Sequence, residues 1–255
     1  MKTFFRIILL VLSSFGTGAL YGETFNASVD WNRRVTIGFG MSGQVQVVEA
    51  HPGDSVTSGS VLVALDTVLL EIALRKASNT EAISEAEMER QLAVLEREQT
   101  LYDEGSLSAV QLEQVELELS RAEFTLNDAE LEHQKMQHLL ELATLTAPFD
   151  AWVVDSGFMP GQFVNHEADT PPLMALAERG RYLAKAQIDV TAVEILSDNP
   201  SIQVRVGERV FDAVRSRVGL EPILEAGQEK RYLLKVQFES EDLIRPGTAC
   251  TVTVL

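Results

Sequence analysis

The chain has 255 residues, of which 45% are hydrophobic and 23% charged. That supplies one large core or two to three small ones, and it is too apolar for a disordered chain. The formal net charge of −17 excludes a nucleic-acid binder built on cation–phosphate contacts, and it disfavours adhesion to anionic lipid.

The N-terminus reads as a targeting segment. Lys2 and Arg6 precede an apolar run from Ile7 to Leu12, followed by small residues at Gly16, Gly18, Ala19 and Gly22. This pattern predicts a signal peptide over 1–22, with an uncleaved anchor as the alternative. The apolar run is shorter than the about 20 residues of a membrane span. Cys250 is the only cysteine, so no internal disulfide can form. It alternates with Ala249 and Thr251 in a strand-like tail and reads as a buried, inert thiol.

Residues 29–37 read as a short strand. Residues 43–66 then alternate through Val45 and Val47, turn at Pro52-Gly53-Asp54 and turn again at Gly59. From Asp66 the period changes to helical. Asp66 or Thr67 can cap a helix, and 67–104 contain no Gly or Pro. Gly105 breaks that run. Ser108 and Gln111 then form a capping-box pattern, with Leu107 and Leu112 placed for a hydrophobic staple. On the second helix the seam reads Leu112, Val115, Leu119, Ala122, Leu126, Ala129, His133, Met136, Leu140 and Ala143. Steps of three and four alternate without a slip, which predicts coiled-coil packing. On the first helix the expected seam is Leu69, Ala73, Ile83, Val94 and Leu101, shared with Lys76, Arg90 and Arg97. Residues 67–143 hold 17 acidic and 6 basic side chains, a charged helix exterior.

Strand pattern resumes at Leu145. After Trp152-Val153-Val154 comes a second copy of the earlier β motif. His51-Pro52-Gly53-Asp54-Ser55-Val56 with Leu62-Val63-Ala64-Leu65 is matched by Met159-Pro160-Gly161-Gln162-Phe163-Val164 with Leu173-Met174-Ala175-Leu176. Two similar β units that pack together are expected, with the helices leaving and returning at one point. Beyond residue 180, Tyr182 to Val190 alternate, and Thr191 with Glu194 suggests a capping box for a helix over 192–197. Strands are expected at 202–206, 209–218, 231–239 and 248–254, with turns at Gly207, Gly227 and Pro246-Gly247. Together they suggest a small β-barrel.

Three chemical readings are weak. Gly38-Phe39-Gly40-Met41-Ser42-Gly43 has dinucleotide-site spacing, but Gln44 to Val48 alternates as a strand where a helix N-terminus is required. His51, His133, His138 and His166 show no metal-ligand spacing. No nucleophile motif is present, so the chain reads as non-enzymatic, with no cofactor.

The order of elements, with Gly43-Gln44-Val45, Pro52-Gly53-Asp54-Ser55-Val56, Leu65-Asp66, Leu145-Thr146-Ala147-Pro148-Phe149-Asp150, Gly161-Gln162-Phe163-Val164 and Leu243-Ile244-Arg245-Pro246-Gly247, resembles the periplasmic adaptor, or membrane fusion protein, family (HlyD and RND efflux adaptors). The resemblance implies an α+β fold. A split lipoyl-like (barrel-sandwich hybrid) β domain, 41–66 and 144–178, is interrupted by a coiled-coil α-hairpin over 67–143. A strand segment over 23–40 precedes it, and a β-barrel over 179–255 follows. Ala151 departs from the family's usual glycine. No complete membrane-proximal domain is expected. Asp155-Ser156-Gly157 occupies the hairpin where a lipoyl-bearing domain has lysine.

The resemblance further implies a function. The chain is expected to be the periplasmic adaptor of a tripartite RND-type efflux system, associated with the inner membrane. It would bridge an inner-membrane transporter and a TolC-like outer-membrane channel as a ring, hexameric by family resemblance. An ABC-type exporter partner, or a periplasmic metal- or ligand-binding module, are the alternatives. Family members that dock on such channels carry Arg, Leu and Ser at the hairpin tip, four and then seven residues apart. Arg97, Leu101 and Ser108 match that spacing.

Overall fold

The computed structural model describes residues 23–197, 200–223 and 230–255. The expected signal peptide and the Gly227 turn lie outside the described residues. In chain order the elements are β1 (Glu23–Trp31), β2 (Arg34–Ile37), β3 (Gly43–Val48), β4 (Ser55–Val56), β5 (Val61–Leu65), α1 (Val68–Asp103) and α2 (Ala109–Leu142). There follow β6 (Thr144–Thr146), β7 (Ala151–Ser156), β8 (Phe163–Val164), β9 (Met174–Glu178), β10 (Arg181–Ile188) and α3 (Val190–Ser197). The last are β11 (Ile202–Val206), β12 (Arg209–Ile223), β13 (Arg231–Glu239) and β14 (Ala249–Val254). Residues 33–179 form one compact unit; 180–255, joined by the described residues up to Asn32, form another.

In the first unit, two four-stranded sheets, β2-β9-β7-β4 and β6-β5-β3-β8, carry the sequence repeat. Each copy keeps its two long strands in one sheet and lends its short strand to the other. Thus β4 pairs with β7, and β8 pairs with β3. The backbone bonds are matched pairs. Gly53 N–H donates to the Val153 carbonyl at 2.8 Å, and Val153 N–H donates to Asp54 at 2.9 Å. In the other copy Gly161 N–H donates to Val45 at 2.8 Å, and Val45 N–H donates to Gln162 at 2.8 Å. The turns match as well. His51 N–H donates to the Asp54 carboxylate, as Met159 N–H does to the Gln162 side-chain oxygen. Gly53 and Gly161 sit at φ +100° and +81°, where a Cβ would be strained. The two halves interleave, and their shared core includes Leu62, Leu65, Val153, Met174 and Leu176.

The second unit is a closed six-stranded barrel, β1-β10-β13-β12-β11-β14. Its core centres on Tyr182, Leu234, Val236 and Phe238. Trp31 stacks on Tyr182, Tyr182 on Phe238, and Phe211 leans on Phe238. Cys250 is buried there, and burial pushes its thiol up to about 11. It is therefore protonated and inert at neutral pH.

Three expectations change. The single strand over 29–37 is two strands, and the segment 23–40 is divided between the units: β1 closes the barrel against β10 and β14, while β2 joins β9. A non-local pairing decides this, and local alternation cannot reveal it. The helix expected over 192–197 begins at Val190. Its start is bonded by Asp189, whose carboxylate accepts from Ala192 N–H, in place of Thr191. Gly38 to Gly43 runs from β2 directly into β3, and a Cβ on Gly38 would lie 2.7 Å from the Leu173 side chain. Close packing accounts for that glycine.

Candidate docking hairpin

The hairpin stands on neighbouring strands. β5 and β6 pair at Ala64–Thr144, and Leu65 N–H donates to the Ala143 carbonyl at 2.9 Å. Both feet of the insert are thereby fixed at one edge of the sheet. α1 has 36 residues and α2 has 34, a reach of roughly 50–55 Å.

All ten expected seam positions of α2 are buried or half-buried. The expected seam of α1 is corrected in part: Ala73, Val94 and Leu101 are half-buried as expected, but the regular inward repeat runs elsewhere. Its inward positions are Leu70, Leu74, Ala77, Glu81, Ser84, Met88, Gln91, Leu95 and Glu98, again in steps of four and three. Leu69 and Ile83 instead face solvent, 80% and 71% exposed. The partner's apolar seam tolerates polar α1 residues because several of them are small or paired. Glu81 meets His133 Nδ1 across the seam, and His133 also contacts Gln137. That polar pair marks one register, as buried polar residues do in coiled coils.

The tip turns through Gly105 at φ +74°. Gly105 N–H donates to the Tyr102 carbonyl at 2.9 Å and Ser106 N–H to Leu101 at 2.8 Å, the two bonds of a Schellman cap. Ser108 then starts α2. Its hydroxyl accepts from Gln111 N–H, and the Gln111 side chain accepts from Ser108 N–H. The capping box is therefore present.

The three expected tip residues are placed differently from one another. Ser108 is the exposed cap, and Leu101 is half-buried at the end of the interhelical packing. Arg97 is exposed and lies off the seam, so it costs no packing, contrary to the sequence expectation. Its side chain makes no hydrogen bond or ion pair among the described residues.

A second stripe was missed. Val110, Leu117, Phe124 and Leu131 repeat every seven residues on α2, yet they are 76%, 46%, 70% and 55% exposed. The signal was legible as a heptad two positions ahead of the seam. Among the described residues no cluster of three or more His, Cys, Asp or Glu could hold a metal ion. No helix among them is long and apolar enough to cross a membrane.

The chain is 24% identical over 189 residues to the macrolide export protein MacA of Yersinia pestis, covering 69% of this chain and 50% of MacA. It thus spans about half the length of that curated relative. Among solved structures, the membrane fusion protein Spr0693 of Streptococcus pneumoniae R6 matches with a TM-score of 0.69 at 14% identity, covering 91% of this chain and 98% of that one. MacA from Actinobacillus actinomycetemcomitans also gives 0.69, at 17% identity, covering 92% and 79%.

The fold is that of the membrane fusion proteins.

No protein-family model matches the chain. The α+β fold expected from the resemblance is present in its parts: interleaved sheets, an α-hairpin and a closed barrel. The hairpin of this fold carries apolar and charged side chains that its own packing does not engage. Arg97 and the α2 stripe are both on it.

Proposed function

We propose that this chain is the periplasmic adaptor of a tripartite efflux system. It bridges an RND-type inner-membrane pump and a TolC-like outer-membrane channel. The observation that carries the reading is the mounting of the hairpin. Paired strands β5 and β6 hold both feet, so the tip from Arg97 to Ser108 projects away from the sheet by about 50 Å. Arg97 is a cation without a partner among the described residues, on an acidic hairpin, and can meet an acceptor on another protein. Together with Leu101 and Ser108 it forms the channel-docking surface.

The adaptor acts as a ring, with six copies as the family resemblance implies. The exposed heptad stripe of Val110, Leu117, Phe124 and Leu131 supports self-association. A seven-residue apolar repeat left in water on a long straight helix is matched best by another helix of the same period. The outer face of α1 offers Leu69 and Ile83 in one such register. The second reading, an ABC-type exporter as the inner-membrane partner, draws on the similarity to MacA.

Arg97→Asp is the test. The charge reversal is expected to abolish crosslinking between the tip and the channel while circular dichroism stays unchanged. Undiminished crosslinking would remove Arg97 from the docking surface. Co-purification of the inner-membrane partner separates RND from ABC.

A further inference from the structure

The outer face of the barrel carries a charge arrangement that the adaptor reading does not use. On β10, β13 and β12, Lys185, Lys235 and Arg217 lie directly opposite one another in the register. Arg215 sits two residues before Arg217 on the same strand, opposite Gln237. Like charges directly opposed across strands destabilise a sheet. Lys185 is relieved by Asp30 on β1. Among the described residues the side chains of Arg215, Arg217 and Lys235 have no hydrogen bond or ion pair. This happens in a chain with 38 acidic and 21 basic residues, where a carboxylate neighbour is the default.

These cations converge on a concavity of about 370 Å³ lined by Asn32, Leu183, Arg215, Arg217, Lys235 and Gln237. No acidic side chain lines it. Leu183 supplies an apolar wall, and each charged residue of the lining is a donor; the carboxylate nearest in the register, Asp30 opposite Leu183, is engaged by Lys185. Two guanidinium forks beside an ammonium suit a compact oxyanion, because each fork binds two oxygens in one plane. A carboxylate brings one charge and two oxygens, and it would leave most of the donors unmatched. A phosphate monoester brings nearly two charges and three strong acceptor oxygens. We infer that this concavity is a binding site for a phosphate ester, carried either on a free metabolite-sized molecule or on a lipid headgroup.

The test uses the full chain and its Arg215→Gln/Arg217→Gln variant, with glycerol 1-phosphate titrated by calorimetry. Both arginines are exposed, so the barrel should stay folded, and thermal melts check this; Lys235→Gln is the second variant. Saturable binding that falls by about tenfold or more in the double variant is expected, as for loss of hydrogen bonds to a charged group. Phosphatidylcholine vesicles containing phosphatidic acid form the second arm. Vesicle binding displaced by inorganic phosphate assigns the lipid source; binding of glycerol 1-phosphate without vesicles assigns the free ester. The inference is overturned if neither probe binds saturably, or if both variants bind as the parent does. It is also overturned if a poly-glutamate peptide binds this face and inorganic phosphate fails to displace it, which would make it a docking surface for an acidic protein.

Discussion

The barrel and the hairpin solve opposite problems. The barrel encloses large side chains completely: Tyr182, Leu234, Val236 and Phe238 have no measurable exposure. The hairpin has one partner face per helix, so its buried residues are few, mostly small and never wholly enclosed: Ala77, Ser84, Ala122 and Ala129, with Leu112 and Leu119. A closed barrel leaves no strand edge and gains stability from one cooperative core. A two-helix insert gains little per residue, and it leaves most of its surface open to partners. Stability is concentrated in the barrel, and the exposed apolar stripe lies on the hairpin.

The sharpest way to break this comparison is in the barrel. Phe238→Ala removes a ring that stacks on Tyr182 and meets Phe211 at a tilt. A loss of about 3–5 kcal/mol is expected. The two tryptophans divide the molecule, with Trp31 in the barrel and Trp152 in the interleaved sheets. Denaturant unfolding followed by Trp31 emission, in a Trp152→Phe background, measures the loss. A small shift would mean the barrel core is plastic and the contrast with the hairpin is false.

A smaller effect is expected in the hairpin. Leu119→Ala deletes a seam side chain that is 8% exposed. At a two-helix seam water and neighbouring side chains can fill the gap, so about 2 kcal/mol, the low end for such truncations, is expected. Amide exchange should quicken across 68–142 and leave the barrel strands unchanged, since the unit that opens is local. Equal quickening in the barrel would show one cooperative unit and erase the distinction.

How far the sequence reveals this division differs by element. The repeat around Pro52-Gly53 and Pro160-Gly161 is legible because each turn needs a glycine at positive φ and each short strand follows at fixed spacing. The exchange of those strands between sheets is not, because local alternation carries no pairing partner. The seam of α2 is legible because its inward residues are apolar except His133. The seam of α1 is misread because Glu81, Ser84, Gln91 and Glu98 hold inward positions while Leu69 and Ile83 face out. Hydrophobic periodicity locates a buried face only when a helix has one apolar stripe. This hairpin has apolar residues on outward faces of both helices, and the extra ones compete for the assignment. The tip spacing of Arg97, Leu101 and Ser108 is legible as a pattern, but the sequence cannot separate a residue that caps from one that docks.

Ser108 allows that separation, with the smallest expected effect on stability. Ser108→Ala removes the hydroxyl that accepts from Gln111 N–H, a cost of about 1 kcal/mol confined to the first turn of α2. Ser108→Asp restores an N-cap acceptor and adds a favourable charge at the helix N-terminus. Exchange protection of the first turn should therefore fall in the alanine variant and recover in the aspartate variant. Docking responds differently if the hydroxyl itself meets the channel. Asp offers no donor when ionised, so tip–channel crosslinking should stay weak in both variants. Recovery of crosslinking together with protection would make Ser108 a cap alone, leaving Arg97 and Leu101 to carry the contact. The hairpin surface would then be divided as the molecule is, with residues that hold the turn lying beside residues that reach beyond it.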